Sequence, residues 1–261
     1  MSIALVVAPS ATKLPPETDG AVLISGSHGA IYAAYLSVKA GARAAIHHDA
    51  GIGRDKAGVS GLDWAEAHGM AMAAVSTESA RIGDGADMLR RGIISRANPL
   101  AAACGVVAGQ SVAIAVDLLK AAPWPHARPD ALAEGRVLVG KIVCLDSMSL
   151  GTACDADRVV ASGSHGGVLA GETAAAFRPL LALFNDAGFG ADRAGAAGLQ
   201  VLDKAGIAAL TVAALSARIG DGRSTLRHGV ISEANESACR LGARIGGSAL
   251  ALAHAVTEKA P

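Results

Sequence analysis

The chain alternates short apolar runs with longer stretches whose apolar residues recur at helical spacing. In the first half, IALVVA from Ile3, AVLIS from Ala21, ARAAIH from Ala42 and MAMAAVS from Met70 read as four strands. Residues 30–40 and 55–68 between them read as helices. After a polar loop, Asn98 and Pro99 make an N-cap and first-turn pair for a long helix, PLAAACGVVAGQSVAIAVDLLKAA. Strands alternating with helices predict an α/β unit built on a mostly parallel sheet.

The pattern then repeats. Shifting the chain by 137 residues lays HDAGIGRDKAGVSGL from His48 over NDAGFGADRAGAAGL from Asn185. SARIGDG from Ser79 falls on SARIGDG from Ser216, and GIISRAN from Gly92 on GVISEAN from Gly229. SGSHG occurs twice, at Ser25–Gly29 and Ser162–Gly166. A repeat of this length is a whole domain-sized unit rather than a short solenoid module. The fold class expected is α/β, a tandem duplication of a Rossmann-like or flavodoxin-like parallel unit, the halves forming a pseudo-two-fold pseudo-dimer. The units are placed at 1–122 and 138–261, joined by a proline-bearing connector at 123–137. Gly105 and Gly109, repeated as Gly242 and Gly246, have GxxxG spacing. Two long helices are therefore expected to approach closely across the pseudo-dimer.

Composition narrows the class. Aromatic residues are only 3% and glycines number 32, so the core must be built from Ala, Val, Leu and Ile with close backbone approaches. The formal net charge is 0 at pH 7, with no basic stripe interleaved with aromatics, so no nucleic-acid partner is expected. The apolar segment after Asn98 contains Gln110, Ser111, Asp117 and Lys120, and reads as a buried helix rather than a membrane span. MSIALVVAPSATK lacks a basic leader and a long apolar stretch, and reads as a strand rather than a signal peptide. Cys104, Cys144, Cys154 and Cys239 show no metal-type spacing and do not superpose under the repeat. A reduced, cytoplasmic protein without a membrane partner is expected, and the Ala- and Gly-rich helices suggest a homo-oligomer.

Three repeated motifs follow strands, and the carboxyl ends of parallel strands share one edge where ligands bind. In SGSHG, the serines Ser25, Ser27, Ser162 and Ser164 and the loop N–H groups are candidates for holding an anion. His28 and His165 are the acid–base candidates, with a structural role as the alternative. Asp49 and Asp186 are candidates to orient them, or else Asx-turn residues. Arg81 and Arg218 present forks for a carboxylate or phosphate, and Asp84 and Asp221 in the same glycine-flanked turn are further substrate-contact candidates, unless each Arg and Asp pair internally to hold the loop. Ser95, Asn98, Ser232 and Asn235 read as caps. The halves also differ: His47 lies over Phe184, His48 over Asn185, Glu78 over Leu215 and Asp87 over Ser224. Asn185 is thus a substrate-contact candidate, while His28, His48 and Asp49 form a weaker metal-binding option. A dinucleotide GxGxxG fingerprint and a phosphate-binding GxxxxGK loop are absent, and Ser25 stands where a G-x-S-x-G nucleophile elbow needs glycine.

The functional expectation is a cofactor-independent enzyme for a small polar molecule bearing a carboxylate or amide. Hydrolysis leads, with a lyase or isomerase as the alternative. A regulatory module binding a small anion or nucleotide is the competing class.

Overall fold

The computed structural model describes residues 3–125 and 129–259. The chain forms two α/β units. Unit 1 comprises Met1–Gly51, Ala57–Ala133 and Gly190–Asp192; unit 2 comprises Ile52–Lys56, Glu134–Phe189 and Arg193–Pro261. Residues 126–128 of the expected connector lie outside the described residues.

In unit 1 the strands are β1 (Leu5–Ala8), β2 (Val22–His28), β3 (Ala44–His48), β4 (Ala71–Val75) and β5 (Ile94–Ala97), arranged in that order. The first four are parallel and β5 runs antiparallel to β4. Helices α1 (Ile31–Lys39) and α2 (Gly61–Ala67) connect β2 to β3 and β3 to β4. Both crossovers step the same way across the sheet, so right-handed connections put both helices on one face, where they pack together. The Tyr35 and Trp64 rings meet edge-to-face there, 6.2 Å apart. The other face is covered by α3 (Gly85–Arg91), α4 (Pro99–Ala103) and α5 (Val112–Leu119). Val22, Ile24, Ala44, Ile46, Ala73 and Val75 share that core with Met88, Ile94, Val112 and Leu119. A sheet covered on both faces explains why the strands read as continuous apolar runs.

Unit 2 repeats the plan with one added strand. Its order is β11 (Ile231–Ala234), β10 (Ala208–Val212), β9 (Leu181–Asn185), β8 (Val159–His165), β7 (Ile142–Leu145) and β6 (Arg136–Val139). The outer strands β11 and β6 are antiparallel to their neighbours. Helices α6 (Val168–Phe177) and α7 (Gly198–Lys204) cover one face. The other is covered by α8 (Gly222–His228), α9 (Glu236–Arg240) and α10 (Ala249–Lys259). β6 begins at Arg136, inside the segment read as connector. Among the described residues, no helix is long and apolar enough to cross a membrane.

Three local expectations need correction. The stretch after Asn98 is two helices rather than one, because α4 ends at a left-handed Gly105 with φ of 92°. Gly105 N–H donates to Ala102 C=O (2.8 Å) and Val106 N–H to Ala101 C=O (3.2 Å), the paired bonds that close a Schellman motif. Gly242 ends α9 in the same way, and Gly109 and Gly246 are left-handed too. The GxxxG spacing therefore marks turns rather than a helix face. Second, GIISRAN and GVISEAN contain β5 and β11. Ser95 donates to the Ala74 carbonyl (3.3 Å) and Ser232 pairs with the Thr211 hydroxyl (3.0 Å), so neither caps a helix. Asn98 and Asn235 do cap α4 and α9. Third, SGSH is the end of β2 and of β8 rather than a turn after them, with an irregular register before the histidine.

Candidate functional site

At the carboxyl edge of each sheet the glycine of SGSHG sets the spacing. A Cβ on Gly26 would lie 2.6 Å from Pro9 O and from Asp84 N. A Cβ on Gly163 would lie 2.6 Å from Asp146 O and closer still to Asp221 N. The RIGDG loop thus lies directly on the SGSHG strand, tied by Gly83 N–H to Gly26 C=O and Gly220 N–H to Gly163 C=O, each 2.8 Å. The serines serve this packing. Ser25 Oγ accepts from Ser27 N–H (3.3 Å) and Ser162 Oγ from Ser164 N–H (3.0 Å). Ser27 Oγ accepts from Ala11 N–H and Ser164 Oγ from Met148 N–H, both 2.9 Å, holding the loop after the first parallel strand.

His28 and His165 end their strands half-buried. His28 Nδ1 accepts from Ala30 N–H (3.4 Å) and His165 Nδ1 from Gly167 N–H (3.1 Å), where α1 and α6 begin. An acceptor role at Nδ1 places the ring proton on Nε2. Among the described residues, His28 Nε2 makes no hydrogen bond. Burial, reinforced by nearby His48, pulls the pKa of His28 down to about 4, so the ring is neutral at pH 7.

The register partner of His28 is His48, and that of His165 is Asn185. His48 Nδ1 accepts from Ala50 N–H (3.1 Å), and its Nε2–H donates to Ala80 C=O (3.0 Å). Asn185 does the same work: Oδ1 accepts from Ala187 N–H (2.9 Å) and Nδ2 donates to Ala217 C=O (3.1 Å). Both ring nitrogens of His48 are therefore used, which removes the option of a metal held by His28, His48 and Asp49. Among the described residues no group of three or more His, Cys, Asp or Glu could hold a metal.

Asp49 and Asp186 act as Asx-turn residues. Asp49 Oδ1 accepts from Gly51 N–H (3.0 Å) and Thr77 N–H (2.9 Å). Asp186 Oδ1 accepts from Gly188 N–H (2.8 Å) and Ala214 N–H (2.9 Å). Among the described residues Asp49 is not bonded to His28, and the Asp186 bonds given above go to main-chain N–H groups.

Asp84 and Asp221 cap α3 and α8. Arg81 Nε donates to Asp192 (2.8 Å), within unit 1, and Arg81 Nη1 lies 3.7 Å from Asp84. Arg218 Nε lies 3.9 Å from Asp55, within unit 2. The Asp87 side chain is fully buried and takes Arg81 N–H (2.9 Å) and Arg91 Nε (2.8 Å), with Arg90 also bonded to it. Burial pushes the Asp87 carboxyl up, but the Arg81 N–H and the Arg91 guanidinium outweigh it and hold the pKa below the ordinary value. In unit 2, Ser224 Oγ accepts the matching Arg218 N–H (3.0 Å).

Two features escaped the sequence reading. One is backbone strain after Asp49 and Asp186. Ala50, Gly51, Ile52 and Gly53 are consecutively left-handed (φ 50°, 67°, 64° and 69°), as are Ala187, Gly188, Phe189 and Gly190 (φ 50°, 75°, 59° and 65°). Each non-glycine residue there costs roughly 1–2 kcal/mol. The alternating glycines of DAGIG and DAGFG were the available signal.

The other is a buried polar pair on the opposite side of β3. His47 is fully buried, its Nε2 is 2.9 Å from Ser37 Oγ, and Ser37 in turn donates to Ala33 C=O (2.9 Å). His47 Nδ1 has no hydrogen-bond partner. The matching residues of unit 2 are Ala174 and Phe184, packed in an apolar cluster. No family model, no curated protein and no solved structure matches the chain.

Proposed function

We propose that the chain is an enzyme for a small carboxylate- or amide-bearing molecule, that its reaction is hydrolysis, and that His28 acts as a neutral hydrogen-bond donor to the reacting carbonyl. The observation that carries this reading is the Ala30 N–H on His28 Nδ1, with Nε2 unbonded and the residue half-buried. A backbone donor at a helix start disfavours the imidazolium and leaves a neutral imidazole able to polarise a carbonyl. In hydrolysis, water adds to the carbonyl carbon, the C–N or C–O bond breaks, and the proton of water ends on the leaving atom. Nε2–H stabilises the oxygen while it carries negative charge. One such donor is worth about 10²–10³ in kcat. A histidine with a pKa of about 4 suits this role better than that of an acid at neutral pH.

The test is hydrolysis of p-nitrophenyl acetate, succinimide and glutarimide at pH 7. Wild type should turn over at least one of them. His28→Phe should lower kcat about 10²–10³-fold, and His28→Gln, which keeps an N–H donor, less. Full activity in His28→Phe overturns the assignment. Ligands that raise Tm without any turnover would favour the binding module instead.

A further inference from the structure

We infer that β1 is an interaction edge, and that the strand pairing on it is β1 of a second copy of this chain, antiparallel about a two-fold axis through Val6. The two repeats finish this side of their sheets differently. In unit 2 the first parallel strand, β7, carries β6 on its outer edge, and Ile142 and Cys144 are each only 1% exposed. β6 and α10 account for this cover, because Val139, Leu252 and Val256 all pack in the cluster that holds Ile142 and Cys144. In unit 1, β1 is the outermost strand, and α5 has eight residues against the eleven of α10. The 137-residue shift lays Leu5 and Val7 over Ile142 and Cys144, yet they are 37% and 38% exposed.

The main chain of β1 is equally unfinished. Val22 N–H donates to Ala4 C=O (2.9 Å) and Leu5 lies beside Val22 in the parallel register, so Ala4, Val6 and Ala8 bond inward to β2. The N–H and C=O groups of Leu5 and Val7 therefore point outward, and among the described residues they have no partner. Soluble proteins guard such an edge with charges, with a proline in the strand or with a covering segment. From Ile3 to Ala8 the chain has no charged residue and no proline.

Charge and symmetry name the occupant. β6, which fills the matching place in unit 2, brings Arg136, whose fork is taken by the buried Asp155 at 2.6 and 2.9 Å. Thr18 stands where Asp155 does and is also fully buried, so an incoming arginine would meet no carboxylate in unit 1. The edge suits a strand without charge, and β1 is such a strand. About a two-fold axis through Val6, Leu5 faces Val7 of the second copy and each such pair exchanges both main-chain bonds, which uses every outward group of the two residues. The Leu5 and Val7 side chains meet their counterparts across the axis, on the face that stays covered at Ile142 and Cys144 in unit 2.

The test measures the mass of the full chain in solution by light scattering over a concentration series, for wild type and three variants. One short strand makes a contact at the small end of specific interfaces, so wild type should pass from monomer to dimer at about 10–100 μM. Val7→Pro removes an outward N–H and leaves the bonds to β2 in place, so it should keep the wild-type circular-dichroism spectrum and weaken dimerisation about tenfold or more. Leu5→Lys puts a charge on the edge without altering the main chain and should weaken it as much. Leu138→Lys, at an exposed position of β6, should dimerise as wild type does. Wild type that stays monomeric throughout, or undiminished dimerisation in Leu5→Lys, overturns the inference. Assemblies that grow past the dimer, or loss of association in Leu138→Lys, would put β6 at the interface and overturn it as well.

Discussion

His48 and Asn185 occupy the same place in the repeat and make the same two hydrogen bonds with different chemistry, each accepting from the N–H two residues on and donating to a carbonyl 32 residues away. The prediction is direct. His48→Asn should leave stability within about 1 kcal/mol of wild type, because the amide reaches both partners. His48→Leu should cost about 2 kcal/mol or more, because Ala50 N–H and Ala80 C=O lose their buried partners. Urea denaturation of both variants checks this, and equal costs would refute it.

The histidines of unit 1 also set an acid limit. His28 and His47 titrate at about 4 and about 3 in the folded protein against 6.5 ordinarily, and His48 is lowered too, in each case chiefly by burial. Between these values the unfolded chain takes up protons that the native state refuses, so stability rises with pH. Their contribution is complete above pH 6.5 and is lost as pH falls toward 4. The urea midpoint should drop between pH 7 and pH 5. In His47→Phe the slope should be shallower by about 1.4 kcal/mol per pH unit, one proton's worth, below about pH 6. A midpoint constant over this range would contradict the burial of these rings.

Gly26 and Gly163 should tolerate no side chain. An alanine Cβ would meet backbone atoms of two other segments, which cannot swing aside as a flexible side chain would. Gly26→Ala and Gly163→Ala should each cost about 1–3 kcal/mol by overpacking. Thermal unfolding reads this, and a wild-type Tm in either variant would show that the loops can part.

Asp87 and Ser224 form the last comparison. Asp87→Ser should be milder than Asp87→Ala, because a hydroxyl at the matching place in unit 2 already accepts the Arg218 N–H. The alanine variant should lose about 1–3 kcal/mol, since the Arg81 N–H loses its acceptor along with two guanidinium bonds. Denaturant midpoints that rank the two variants the other way would refute this order.

The tandem repeat, the alternation of strands and helices, and the gathering of SGSHG, HDAG and ARIGDG on strand ends were legible in the chain. Hydrophobic runs report burial, and burial on both faces is what a parallel sheet between two helical layers imposes. The short antiparallel β5 and β11 were not legible, because their four residues alternate weakly and sit among cap-like Ser and Asn. The break between α4 and α5 was hidden because a left-handed glycine looks, in sequence, like a small residue on a helix face.

The amino-acid sequence by itself determined the duplication, the class of fold, and which polar residues lie at the carboxyl edge of each sheet. Only the tertiary structure decided which of those residues are already consumed. Ser27 is taken by Ala11 N–H, Asp49 by Thr77 N–H, and His48 by Ala80 C=O, leaving His28 Nε2 unbonded and His47 Nδ1 unmatched. The physical reason is range. Local pattern records the side of an element a residue occupies, whereas the partner that satisfies a buried polar atom comes from another segment of the chain, fixed only when the strands are aligned.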